Sequence, residues 1–216
     1  MKKIIYTLSG ILLLASCTKI SLNEYELKNA PQELSNMTVE ANAADANSST
    51  AARAQQFILY TIAQGQHSSD KSVLKSVRVS SMNFIAKFDN SAIYQSVNPE
   101  NQYDINKLYG FSEGFNHQYN SARIGWAYND GALRLYAYAY NNGVRASQEI
   151  TTVSIGTDIS CSISVSGNLY LFTVNNSTVS LSRANSTATA SGYRLYPYFG
   201  GDEVAPHNIR IQIKNL

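Results

Sequence analysis

Two dipeptides constrain this chain more than any other feature: Asp130-Gly131 and Asn142-Gly143, each set between runs that alternate apolar and polar residues. Such pairs adopt the left-handed backbone of tight hairpin turns and join neighbouring strands through two-residue loops. They predict three strands, Arg123–Tyr128, Leu133–Tyr140 and Val144–Val153, and they also dictate the register. Tyr128 faces Leu133, Trp126 faces Leu135 and Ile124 faces Ala137, while Gly125 faces Tyr136 and Arg123 faces Tyr138. Across the second turn, Tyr140 faces Arg145, Tyr138 faces Ser147 and Tyr136 faces Glu149. Directly opposed residues share a side of the sheet. One face therefore collects Ile124, Trp126, Tyr128, Leu133, Leu135, Ala137 and Ile150 and should be core. The other collects Arg123, Arg134, Tyr136, Tyr138, Tyr140, Arg145, Ser147 and Glu149 and should face solvent. Gln148 falls on the apolar side, which signals a bulge or slip nearby.

The rest of the chain repeats this grammar. Strands are predicted at 57–62, 77–79, 82–88, 159–165, 168–174, 177–183, 193–198 and 209–213, giving at least ten with no convincing helix between them. Charged residues are 15% of the sequence, against roughly a quarter in ordinary domains. That deficit argues against helical bundles and coiled coils, which lean on Lys, Glu and Arg. Ser, Asn, Thr and 15 tyrosines take their place. The expected fold class is an all-β antiparallel sandwich or barrel. No fixed-period repeat supports a propeller or solenoid. A formal charge of +2 without a basic block excludes nucleic acid as an expected partner.

The N-terminus carries an address. Met1-Lys2-Lys3 precedes a mostly apolar run, Ile4 to Leu14, too short to span a bilayer of about 30 Å, so residues 1–16 read as a signal peptide. Leu14-Ala15-Ser16-Cys17 resembles the lipobox of bacterial lipoproteins. That resemblance implies cleavage before Cys17, acylation of its thiol, and anchoring to the cell envelope, most simply the outer membrane of a Gram-negative bacterium. Several acyl chains give the stable membrane attachment that one cannot. Residues 17–53 lack an apolar period and read as a lipidated, flexible tether; residues 54–216 are the expected domain. No acidic cluster follows Cys17, and the membrane face stays open. Cys161, in phase with Ile159, Ile163 and Val165, reads as a small buried apolar residue.

Three longer stretches carry a second resemblance: 104–112, 120–126 and 195–207, the last containing Leu195-Tyr196-Pro197-Tyr198-Phe199-Gly200-Gly201. Together they resemble concanavalin A-like jelly-roll domains of uncharacterised bacterial lipoproteins. The resemblance implies a final strand, Ile209 to Ile213, pairing near the first, but no activity, because the fold hosts lectins, hydrolases, lyases and inert modules. Glucanases of this shape carry two Glu and an Asp alternating on a strand, a pattern missing here. Alginate lyase-like sandwiches carry Arg-x-Glu-x-Arg, Gln-Ile-His and Tyr-x-Lys-x-Gly-x-Tyr, and none of the three occurs.

The residues themselves offer one candidate surface. Tyr136, Tyr138 and Tyr140 on one strand, with Arg123, Arg145 and Glu149 on its neighbours, form a possible glycan platform, since aromatic faces stack on sugar rings while charged groups take hydroxyls. Simple cross-strand packing explains the same pattern. His117, Tyr138 and Arg123 could support a β-elimination if they converge, which spacing leaves open. No His pair has metal-ligand spacing, and no cofactor is expected. Three classes compete: glycan-binding or adhesive module, polysaccharide lyase or hydrolase, and structural envelope protein. Any ligand is expected on the tyrosine face rather than at the His67 or His207 loops.

Overall fold

A computed structural model describes residues 56–216. The lipobox at Cys17 and the 17–53 segment lie outside the described residues. The two predicted turns form as drawn. Asp130 and Gly131 have φ of 50° and 74°, and Asn142 and Gly143 have 49° and 81°, the left-handed pairs that a type I′ turn requires. They connect β5 (Ser121–Asn129), β6 (Ala132–Asn141) and β7 (Val144–Val153). Every cross-strand pair derived from the two-residue loops is present.

Nine more strands complete two antiparallel sheets: β1 (Ile58–Ile62), β2 (Ser76–Val79), β3 (Ser81–Phe88), β4 (Asn106–Ser112), β8 (Ile159–Ser166), β9 (Leu169–Val174), β10 (Ser177–Ser182), β11 (Ala190–Leu195) and β12 (Ile209–Asn215). One sheet runs β1-β12-β3-β8-β9-β10 and the other β2-β11-β4-β5-β6-β7. The protein is a jelly-roll β-sandwich. Its last strand pairs with its first, Ile213 opposite Ile58 and Ile209 opposite Ile62. Helix is confined, among the described residues, to two 3₁₀ turns, Asn90–Ala92 and Pro99–Tyr103. None of it is long and apolar enough to cross a membrane.

The core lies between the sheets, as period-two alternation demands. Ile124, Trp126, Leu133, Leu135 and Ala137 meet Phe84, Phe88, Ile163 and Phe172 there, all buried. Trp126 packs on Phe88 at a centroid distance of 5.3 Å and edge-on to Tyr94 at 5.8 Å. Burial of Cys161 among these residues raises its thiol pKa, which makes it a poor nucleophile.

The structure departs from the sequence reading at four places. Strand β4 was not expected, because its run Leu108-Tyr109-Gly110-Phe111 is buried throughout and shows no alternation. It also contains a bulge at Leu108, where pairing shifts between Lys107 and Tyr109. Strand β11 spans Ala190–Leu195 rather than 193–198; Pro197 has no N–H to give a ladder and ends it. In β7 the bulge anticipated near Gln148 falls at Ile150, between the Leu135–Thr151 and Tyr136–Glu149 pairs. Ile150 still packs on the core, while Gln148 is exposed on an edge strand. The fourth difference concerns the tyrosine face. Tyr138 and Arg123 are buried, at 4% and 8% exposure, because the Lys107 side chain lies over the Tyr138 ring and Tyr140 packs edge-on against it.

Candidate functional site

The outer face of the second sheet owes its chemistry to two cations opposed by glycines. Arg123 on β5 stands opposite Tyr138 on one side and Gly110 on the other. Lys107 on β4 stands opposite Gly125. A Cβ at Gly110 would run into the Ala122 carbonyl and the Arg123 Cα, so only glycine lets β4 approach β5 this closely. Neither cation therefore meets an acidic neighbour across the ladder. Both sit beside the Tyr138 ring instead, with Lys107 Nζ 4.9 Å from its centroid.

Around them the surface hollows into a groove of about 570 Å³. Arg123, Lys107 and Tyr138 lie in it together with Tyr140, His117 and Tyr193, and the chain after β11 adds Tyr198. Paired backbone bonds of 2.9 Å in each direction tie Tyr198 to Lys107. His67 stacks on Tyr198 with ring centroids 5.2 Å apart and donates from Nδ1 to the Phe199 carbonyl over 2.8 Å. The sequence candidates thus divide. Arg123, Tyr138, Tyr140 and His117 converge in one groove. Tyr136, Arg145 and Glu149 share the face but do not line the groove; Glu149 instead accepts a hydrogen bond from Arg134 at 3.2 Å. His207 is elsewhere, bonded to the Ser91 carbonyl at 2.9 Å.

His117 is held from below. It belongs to the loop joining β4 to β5, closed by a bond from Glu113 N to Asn120 O of 2.8 Å. Tyr119 N and Asn120 N both donate to Asn116 O, and Ser121 Oγ donates to His117 O at 2.6 Å. At its base, the Glu113 carboxylate receives Arg183, Tyr170 and Asn185, all from the far side of the sandwich. The His117 ring then shares a 2.9 Å hydrogen bond between Nδ1 and the Tyr193 hydroxyl. Tyr193 is itself fixed by a 3.0 Å bond from its backbone N–H to Ser112 Oγ.

The electrostatics are one-sided. Arg123 makes no hydrogen bond or ion pair among the described residues, and its Nε is fully buried without a partner. Burial pushes its pKa down to about 10. Burial, then the charges of Arg123 and Arg145, bring Lys107 down to about 8. Burial and the Arg123 charge hold His117 below its ordinary value, favouring a neutral ring. Burial, with help from Tyr140, pushes Tyr138 up to about 12. No metal-ligating cluster of His, Cys, Asp or Glu occurs among the described residues.

The sequence reading missed Lys107, Tyr193 and Tyr198 as site residues. Lys107 and Tyr198 stand in stretches that resembled the jelly roll and read as fold markers, and Tyr193 stands at the start of the strand predicted at 193–198. The available signal was topological: β11 must pair with β4 before its tyrosine can reach the His117 loop.

No protein-family model matches the chain, and no curated protein sequence matches it. Among solved structures, the chain is similar to the family 7 alginate lyase A1-II′, with 9% identity, 74% of this chain and 80% of that one covered, and a TM-score of 0.45. It is similar to the polysaccharide lyase family 7 alginate lyase AlgAT5 at 11% identity, covering 73% and 75%, with the same TM-score. A carbohydrate-binding module, CBM66 of Bacillus subtilis, aligns at 7% identity over 73% and 92%, with a TM-score of 0.34. Likenesses this weak carry no weight for activity, which has to be read from the groove's own residues.

Proposed function

We propose that this groove binds an acidic glycan, and that acylated Cys17 holds the domain at the cell envelope. The observation that carries the first half is Arg123. A guanidinium taken out of water at a cost of several kcal/mol without a carboxylate of the chain to face is suited to an anionic group supplied by a ligand. Tyr140, Tyr193 and Tyr198, which line the groove and are not buried, offer stacking faces for sugar rings. Stacking of about 1 kcal/mol per ring beside one ionic contact gives micromolar to millimolar affinity for a short oligosaccharide.

Titration calorimetry with a uronic-acid hexasaccharide and its carboxyl-reduced counterpart tests this. Binding of the acidic form alone is expected, with a loss of about tenfold or more for Arg123→Met. Equal binding of both forms would refute an anion-reading groove. For the anchor, the motif Leu14-Ala15-Ser16-Cys17 supports the reading. Intact mass of membrane-extracted protein should include the lipid, and a Cys17→Ser variant that fractionates unchanged with membranes would refute it.

The His117–Tyr193 hydrogen bond favours a second reading, β-elimination on a uronate. Arg123 would neutralise the sugar carboxylate and acidify the C5 proton. His117, held toward its neutral form and hydrogen-bonded to Tyr193, would take that proton as the C5–H bond breaks. The C4–O bond then breaks, C4=C5 forms, and the His117–Tyr193 pair, which gained the C5 proton, gives one to the departing oxygen and so returns to its starting state. Appearance of the ultraviolet-absorbing unsaturated product, lost in Tyr193→Phe and His117→Ala, separates a lyase from a binding module.

A further inference from the structure

We infer that Lys107 is a specificity-determining residue of this groove: with Arg123 it forms a two-cation floor that selects glycans carrying more than one anionic group and releases them as the pH rises. This rests on the groove being a site for acidic glycan, and it adds a second charge reader and a regulation to that reading. The geometry gives the case. Lys107, paired with Gly125 across the ladder, lines the groove, with its Nζ above the Tyr138 ring and one hydrogen bond, of 2.8 Å, to the Ile105 carbonyl. A Cβ at Gly200 would collide with that Nζ, so the glycine leaves a slot for the ammonium. Among the described residues no carboxylate lies within ion-pair distance of it. An ammonium has three donors, so two remain for a ligand.

The groups facing Lys107 act in a consistent direction. Arg123 on β5 and Arg145 on β7 disfavour its proton, and Asp104, just before β4, opposes them more weakly. Tyr138 on β6 stays protonated well beyond the range in question. His117 is neutral at and above the ordinary histidine value. Tyr198 is bonded to the Lys107 backbone. With its pKa brought to about 8, Lys107 is the group in this set that changes charge just above neutrality, while Arg123 stays charged. An anion bound beside it favours the ammonium again, so binding there takes up a proton.

The test is calorimetry on wild type, Lys107→Met and Lys107→Arg, in buffers of differing ionisation enthalpy, from about pH 6.5 to about pH 9. Probes are the uronic-acid hexasaccharide, a sulfated neutral oligosaccharide and the carboxyl-reduced control. For wild type we expect affinity to fall about tenfold across that range, with fractional proton uptake near the midpoint. Lys107→Met should bind about tenfold more weakly at the acid end and show neither slope nor uptake. Lys107→Arg should keep the affinity and lose the slope. The uronate and sulfate arms separate carboxylate from sulfate as the recognised group. Wild-type binding that is pH-independent and matched by Lys107→Met overturns the role of Lys107 and leaves the acidic-glycan reading intact. Absence of binding to either acidic probe overturns both.

Discussion

Arg183 and Arg123 are both arginines with almost no solvent exposure, at 2% and 8%, yet their surroundings have nothing in common. Arg183 donates to both oxygens of Glu113, to the carbonyls of Gly167, Thr187 and Thr189, and to Thr187 Oγ1. The Glu113 hydrogen bond raises its pKa. For Glu113, burial pulls the other way, but Arg183, Tyr170 and Asn185 outweigh it and hold the carboxyl below its ordinary value. Arg123 has aromatic rings and another cation for neighbours, and burial lowers its pKa. A guanidinium loses several kcal/mol of solvation in either place. At Arg183 the chain supplies the compensating anion and gains a clamp between loops. At Arg123 it supplies none, and the rest of the core carries the cost. Departures of this kind from local consistency mark functional positions.

Removing the anion at the paired site should be the most damaging single change. Glu113→Ala leaves Arg183 buried and uncompensated, and we expect a loss of about 3–5 kcal/mol, read as a lowered urea midpoint. The mirror change at the unpaired site should do the reverse. Arg123→Met removes a buried charge that has no partner, so stability should stay within about 1 kcal/mol of wild type or rise, while affinity for acidic glycan falls. Equal destabilisation by both would erase the contrast and make Arg123 a structural residue. A finer probe is the His117 ring. Since the Arg123 charge is one of the two causes lowering its pKa, Arg123→Met should move the His117 titration upward toward about 6.5, measured by ring-proton NMR. An unmoved titration would mean that the guanidinium does not reach the histidine.

The contrast between the two arginines was only half legible in the sequence. Period-two alternation and two turn dipeptides gave the register of β5 to β7, and with it the placement of Arg123 opposite Tyr138. They gave the sandwich too, because residues such as Ile159, Ile163, Ile209 and Ile213 alternate without ambiguity. What alternation cannot report is which strand from the far end of the chain becomes a neighbour. Tyr193 reaches the groove through β11–β4 pairing, a contact between segments separated by a long stretch of chain, and Lys107 through β4, which pairs with the next strand, β5. Strand β4 was hidden because burial on both faces removes the periodic signal. Glu113 and Arg183 carry no local mark either. Each is a charged residue at the end of a strand, and only the packed sandwich shows that they meet. The notion of an open tyrosine face failed for a related reason: cover for Tyr138 comes from Lys107, a residue of the unrecognised strand.

The smallest expected effect concerns how stability responds to pH at the unpaired site. Lys107 has a folded pKa brought to about 8 by burial and by Arg123 and Arg145, against about 10.4 in an unfolded chain. Below the folded value both states hold the proton, and the cost of burying the ammonium stands in full. Between the two values the unfolded chain holds a proton that the folded one has released, so unfolding takes up a proton and stability rises with pH. Above the unfolded value both states are neutral and the slope ends. Tyr138, pushed up to about 12, works in the opposite sense, but only above the ordinary tyrosine value of about 10, so the useful window runs from about pH 8 to about pH 9.5. In that window wild type should gain stability relative to Lys107→Met, measured as the difference between their urea midpoints. The Glu113–Arg183 pair adds no slope there, because its carboxyl titrates far below and its guanidinium above. A difference that stays flat, or falls with pH, would mean that Lys107 keeps an ordinary ammonium and that the groove floor holds one unusual cation rather than two.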